Sequence, residues 1–170
     1  CDTENWKLDI IGPGDPKYVD ELSNLILKFD IKKNVNLKPG YVSNKVKTKY
    51  FKTADAFILP TKSENFGIVV IEAMSFQLPV ITTKEAPWEE ISKFKCGWWV
   101  DANIKAIASS IQSLINTSQK EMYLKGLRGY NLVKDNYTWS TKGVQAYELH
   151  NWLLDKKLKK PLFVSQNFSD

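Results

Sequence analysis

Along the first hundred residues, short apolar runs alternate with segments of helical periodicity, and this alternation constrains the fold more than any other feature. Trp6–Ile11 reads as a strand running into Gly12-Pro13-Gly14, a turn signal. Asp15-Pro16 then places proline at a first helical position, and Val19, Leu22, Ile26 and Phe29 recur at helical spacing, predicting an amphipathic helix over 16–30. Val35–Leu37 is a second strand, ended by Pro39-Gly40, after which Ser43 or Asn44 caps a helix to about Lys52. Ala54–Leu59 is a third strand, stopped by Pro60. A polar loop, Thr61–Asn65, leads into an apolar helix, Phe66–Phe76. Pro79–Thr83 and Gly97–Val100 read as a fourth and a fifth strand. From Asn103 the pattern is helical only, over 103–116, 118–135 and 139–157. The expectation is an α/β fold: a parallel sheet with helices on both faces, then a C-terminal helical extension. One domain is expected over 1–155, with 156–170 as a lysine-rich, frayed tail.

The 170 residues suffice for one well-cored α/β domain, and the 43% hydrophobic, 25% charged composition is that of a globular chain. A net charge of +5 suits an acidic partner (phosphate, nucleic acid or a membrane surface) without choosing among them. Cys1 and Cys96 form no disulfide framework, which points to a reducing compartment, and with His150 as the single histidine no zinc site is expected. No apolar run approaches the ~20 residues of a membrane span, and no secretory signal is visible. Cys1-Asp2-Thr3-Glu4-Asn5 opens without Met and enters a strand at once, as an excised segment would.

Chemistry is expected where ligands bind open α/β sheets, in the loops beyond the carboxyl ends of the strands. The loop after Leu59 is the most informative. Ser63-Glu64-Asn65-Phe66-Gly67 precedes Ile68-Val69-Val70-Ile71-Glu72-Ala73-Met74, a helix apolar on nearly all sides and therefore expected to be buried. Glu72 inside it would need a partner, helped by the positive end of the helix dipole. Gly67 leaves backbone N–H groups at the helix mouth uncovered, which suits phosphate. Glu64 and Glu72 would bracket that anion site, and carboxylates accept hydrogen bonds from sugar hydroxyls. A nucleotide-sugar carries both groups. The bland alternative makes Glu64 a solvated or capping residue and pairs Glu72 with a lysine.

The stretch Ala54–Met74, with its Glu64 and Glu72, resembles the E-x7-E signature of family 4 glycosyltransferases. Leu78-Pro79-Val80-Ile81-Thr82-Thr83, Ala86–Ile91 and Cys96-Gly97-Trp98-Trp99-Val100 continue the resemblance, which covers most of 6–155. It implies one half of a retaining GT-B enzyme, the Rossmann-like domain that holds the donor. Glu64, also the catalytic candidate, is similar to residues contacting the donor sugar. Asn65, Phe66, Gly67 and Ile68 lie where backbone amides meet sugar and diphosphate. Glu72 would accept from the ribose hydroxyls, and Tyr41 and Val42 match the segment lining the nucleobase pocket. The leaving diphosphate would be stabilised electrostatically, with no metal and no cofactor beyond the nucleotide-sugar co-substrate. The Arg and Lys that clamp the diphosphate in the family, and the acceptor domain, would lie upstream of Trp6, so isolated catalysis is not expected. The acceptor would be a glycan or lipid-linked molecule, in polysaccharide synthesis, and the location cytoplasmic or at the cytoplasmic face of the membrane.

Other features have plainer readings. Gly12-Pro13-Gly14 lacks dinucleotide-binding spacing and is a turn. Pro87-Trp88-Glu89-Glu90 borders the acceptor side or forms a short capped helix with a packed Trp. Trp98 and Trp99 point to opposite faces of their strand, one to the core and one over a helix. Tyr137-Thr138-Trp139, Tyr147 and Trp152 resemble the GT-B helical region that packs toward the other domain. Lys156–Lys160 reads as solvated, with an anionic membrane as its alternative. A non-enzymatic nucleotide-binding or receiver-like module is the rival reading, but Pro60-Thr61 stands where a receiver needs its aspartate. A nucleic-acid-binding domain is disfavoured by the single Arg128 and dispersed lysines.

Overall fold

The computed structural model describes residues 6–164; the expectations for Cys1–Asn5 and for the last six residues lie outside it. The chain divides into two compact units, one ending at Tyr50 and the other beginning at Phe51.

The first unit holds β1 (Leu8–Gly12), α1 (Pro16–Lys28) and β2 (Val35–Pro39), and most of α2 (Asn44–Thr53), which runs on past Tyr50. β1 and β2 are parallel, from Leu8 opposite Val35 to Gly12 opposite Pro39. Asn34 sets this register: its carbonyl accepts from Leu8 N at 2.8 Å and its side-chain amide donates to the Trp6 carbonyl at 2.8 Å. Asp15 caps α1, its carboxylate accepting from Lys17 N at 2.9 Å, with Pro16 in the first turn as expected. Val19, Leu22 and Ile26 are half-buried, but Phe29, expected on the same stripe, is exposed. It stands at the C-cap, past the last helical turn. Val35 is the one buried apolar side chain among the described residues of this unit.

The second unit is built on β3 (Phe57–Leu59), β4 (Val80–Thr83) and β5 (Gly97–Val100), all parallel, with β4 central. All four β4 residues are buried, as a strand covered on both faces requires. Around them lie α3 (Ile68–Ser75), α4 (Glu90–Lys93), α5 (Ile104–Ile115), α6 (Gln119–Asn136) and α7 (Trp139–Leu154), followed by a 3-10 turn at Leu162–Val164. Asn103, Ser118 and Thr138 cap α5, α6 and α7 through their side chains. Val70, Ala73, Met74, Val80, Ala86, Trp88, Ile91 and Cys96 form the centre of the core. Burial pushes the Cys96 thiol pKa up to about 11. At Gly126 of α6, an added Cβ would sit 1.9 Å from the Gln77 carbonyl oxygen, so glycine lets the helix lie directly on the end of α3.

Parallel strands alternating with helices, and a long helical C-terminus, are as the sequence indicates; the strands hydrogen-bond in two groups, β1-β2 and β3-β4-β5. Three expectations need correction. The third strand starts at Phe57, because Ala54 and Asp55 are exposed and precede the ladder. Helix α3 is not buried all round: Val70, Ala73 and Met74 are, while Val69 and Ile71 are half-buried and Ile68 is 67% exposed. The last helix ends at Leu154, where Asp155 takes an extended conformation and its carboxylate accepts from Lys157 N at 2.9 Å.

Candidate functional site

The loop joining β3 to α3 is held from two sides. From β4, the Thr82 hydroxyl donates to the Leu59 carbonyl at 2.9 Å and the Thr83 hydroxyl to the Thr61 carbonyl at 2.6 Å. Both threonines are buried, so these bonds satisfy their side-chain hydroxyls while fixing where the chain leaves β3. Thr61 closes a small turn, its hydroxyl donating to the Ser63 carbonyl and accepting from Ser63 N. Glu64 N then donates to the Glu85 carbonyl at 3.2 Å. From the other side, the indole N–H of Trp88 donates to the Phe66 carbonyl at 2.6 Å. Trp88 is fully buried, and its ring lies 5.3 Å from that of Phe66 and 5.2 Å from that of Tyr137. The Tyr137 hydroxyl donates to the Glu90 carboxylate. Burial, and secondly that bond, raise the Tyr137 pKa well above the usual phenol range.

Gly67 converts this held loop into a helix start. Its φ of 76° and ψ of 58° are left-handed, the region glycine enters without steric cost. An added Cβ would lie 3.3 Å from both Glu64 Cγ and Trp88 Nε1. No side chain caps α3; Val70 N donates back to the Gly67 carbonyl at 2.8 Å, and the N–H groups that precede it in a helix have no acceptor within the helix. The positive end of the helix dipole and these amides favour an anion at this place. In the loop just before it, Glu64 Oε1 accepts from Asn65 N at 3.1 Å.

The expected residues fall as follows. Glu64 is half-buried, Asn65 exposed, Phe66 40% exposed, Gly67 buried and Ile68 exposed, so Glu64 to Ile68 come together at the mouth of α3. Glu72, expected deep in an apolar helix, is half-buried one turn further on. Tyr41 and Val42 belong to the first unit, after β2, where the Tyr41 ring is 92% exposed and Val42 half-buried. Sequence reasoning missed Thr82, Thr83, the Trp88 bond to Phe66, and the Tyr137–Glu90 pair. The signals were present as a packed Trp and a threonine pair in a strand, but their partners lie more than twenty residues away. A cavity of about 740 Å³ opens at the amino ends of β3 and β4, lined by Asp55, Gln77, Pro79 and Gln119 among others. None of the expected site residues lines it. The short helix after Trp88, one of two readings of that segment, is α4.

Residues 2–126 match the family model described as glycosyl transferases group 1. The chain belongs to this family. A Haemophilus influenzae uncharacterized glycosyltransferase is 29% identical over 136 residues, 78% of the chain and 36% of that protein. The capsular polysaccharide biosynthesis glycosyltransferase CapM of Staphylococcus aureus is 36% identical over 69 residues, 39% of the chain and 18% of that protein. The matches to the first of these relatives span about a third of the relatives' length. The fold is that of the C-terminal domain of a Francisella tularensis group 1 glycosyl transferase (TM-score 0.68, 24% identity, covering 79% of this chain and 71% of that one). It also resembles S. aureus TarM, solved in complex with Fondaparinux, alpha-GlcNAc-glycerol and UDP (TM-score 0.69, 24% identity, covering 87% and 28%). Among the described residues of this group 1 member, no helix is long and apolar enough to cross a membrane.

Proposed function

We propose that the chain is the donor-binding part of a retaining glycosyltransferase that uses a nucleotide-diphosphate sugar. In this reading the backbone amides of Asn65, Phe66, Gly67 and Ile68 take the diphosphate and sugar, and Glu64 accepts from the sugar hydroxyls. Glu72 accepts from the ribose hydroxyls. The observation that carries the reading is the left-handed, side-chain-free start of α3 beside Glu64. The amides stabilise charge that develops on the leaving diphosphate, and donors fixed in advance need no reorganisation. Glu64 must let go of the Asn65 amide as the donor enters, so the carboxylate acts as a placeholder for anionic oxygen. UDP in the TarM complex supports the donor class. The capsular polysaccharide biosynthesis named for CapM supports a glycan or lipid-linked acceptor.

Calorimetric titration with UDP, GDP and their sugar conjugates tests the reading, alongside Glu72→Ala. Loss of one charge-assisted hydrogen-bond acceptor, ~1.5–3 kcal/mol, is expected to weaken nucleotide binding at least tenfold. Absence of heat with every nucleotide, or unchanged affinity in Glu72→Ala, would count against it.

A further inference from the structure

Three aromatic rings meet behind the mouth of α3. Trp88 lies 5.3 Å from Phe66 and 5.2 Å from Tyr137, and the Phe66 and Tyr137 rings are 6.1 Å apart. Phe66 belongs to the site, Trp88 is fully buried, and Tyr137 comes from the joint between α6 and α7. Tyr137 turns inward there, whereas the nearby Trp139 is 94% exposed. Its position is fixed at three points. The hydroxyl donates to the Glu90 carboxylate, the backbone N–H donates to the Val133 carbonyl at 2.8 Å, and Lys142 Nζ lies 5.0 Å from the ring centre. Glu90 stands two residues after Trp88, so the tyrosine both packs on the indole and bonds the segment that carries it. Its phenol pKa is raised by burial and then by that bond, so the hydroxyl keeps its proton and stays a donor.

A peptide group is planar, with its C=O and N–H pointing in opposite directions. The Trp88 indole bond to the Phe66 carbonyl, at 2.6 Å, therefore also aims the Gly67 N–H, which belongs to the same peptide group. In the donor-site reading that N–H is one of the four amides that meet phosphate and sugar. An indole donates along one direction in its ring plane, so whatever turns that plane turns the amide. We propose that Tyr137 is a positioning residue of the donor site: held by Glu90, it fixes the plane of the Trp88 ring and through it the direction of the Gly67 N–H. The inference rests on the donor-site reading. A purely structural tyrosine would need only its ring, which packs against Phe66 and Trp88; the hydroxyl on a half-buried carboxylate is what orients that ring. Coupling between sites is reciprocal, so nucleotide on the amides is expected to be felt at Tyr137 and at Thr138, which caps α7.

The test compares the ¹⁵N-labelled 170-residue chain with Tyr137→Phe, before and during titration with UDP. Without nucleotide, the Trp88 indole and Gly67 amide resonances are expected to move in Tyr137→Phe, which keeps the ring and loses the hydroxyl. Its UDP affinity is expected to fall about fivefold, the worth of one ordinary hydrogen bond. Glu90→Gln keeps an acceptor for the hydroxyl and is expected to bind closer to the parent. Glu90→Ala is expected to reproduce Tyr137→Phe, and the double substitution to be no worse than either, since both break one link. Gly126→Ala, which disturbs α6 away from the three rings, controls for lost stability and is expected to keep the parent's affinity once folded. In the parent, the Tyr137 and Thr138 amides are expected to shift along the same UDP saturation curve as Gly67. Tyr137→Phe with parental affinity, an unmoved Trp88 indole, additive losses in the double variant, or an equal loss in folded Gly126→Ala would each overturn the proposal while leaving the donor reading intact. A parent chain blind to UDP would sink both.

Discussion

Gly67→Ala probes the link between the fold and the candidate donor site. Alanine must adopt φ near 76°, which costs about 1–2 kcal/mol for a residue with a Cβ. The new methyl would meet Glu64 Cγ and Trp88 Nε1 at 3.3 Å and Val70 Cγ2 at 3.5 Å. These are side-chain atoms that can yield a few tenths of an ångström, so the crowding adds about 1 kcal/mol, the low end for overpacking. Urea denaturation is expected to show a loss of about 2–3 kcal/mol with an unchanged m-value. The displaced Trp88 also loosens the bond holding Phe66, so nucleotide affinity is expected to fall about tenfold. Gly67→Asn separates the causes: asparagine tolerates left-handed φ better but meets the same neighbours, so it is expected to recover about 1 kcal/mol of stability and none of the affinity. An alanine variant within ~0.5 kcal/mol of the parent, binding nucleotide equally well, would refute the reasoning.

Three further outcomes follow from the packing. Trp88→Phe leaves the Phe66 carbonyl without its donor and a gap in the core, so thermal and urea unfolding are expected to report a loss of about 2–4 kcal/mol. Gly126→Ala would put a methyl 1.9 Å from the Gln77 carbonyl oxygen, a backbone atom; a loss of about 3 kcal/mol is expected, with no specific effect on nucleotide binding once the variant is folded. In a Cys1→Ser background, Cys96 is expected to stay unreactive toward a disulfide reagent at pH 8 until denaturant is added. Its folded pKa of about 11 lies above the ordinary 9.0, so the unfolded thiol ionises first. Its contribution is therefore complete below pH 9 and lost as pH rises toward 11, about 3 kcal/mol that Cys96→Ala would remove from the pH dependence.

What the sequence made legible was local. β5 has the bounds read from Gly97-Trp98-Trp99-Val100, and α5 and α6 begin beside polar residues whose side chains do cap them. Gly67 was visible as a helix-mouth glycine because its role depends on its own backbone. Burial of α3 was misjudged, since hydrophobicity does not say which face another element covers; α6 lies over one side, and Ile68 is left exposed. The two adjacent tryptophans divide as expected, Trp99 packed against the core and Trp98 beside Lys125 of α6. Both are half-buried: the Trp99 indole donates to the Ala86 carbonyl at 3.0 Å, and Lys125 lies 4.8 Å from the centre of the Trp98 ring. The ties that shape the site, Thr83 to Thr61 and Trp88 to Phe66, each join residues 22 positions apart. No periodicity or motif spacing encodes such a bond; it exists only once β3, β4 and α4 are in place.

The most direct measurement is a titration of the ¹⁵N-labelled chain with UDP, followed through its backbone amide resonances. If the diphosphate seats on the mouth of α3, the amides of Asn65, Phe66, Gly67 and Ile68 are expected to move first and furthest, saturating together with the calorimetric curve. Changes confined to Asp55, Gln77 and Gln119, around the cavity at the opposite ends of the strands, with those four amides unmoved, would contradict the donor-site assignment.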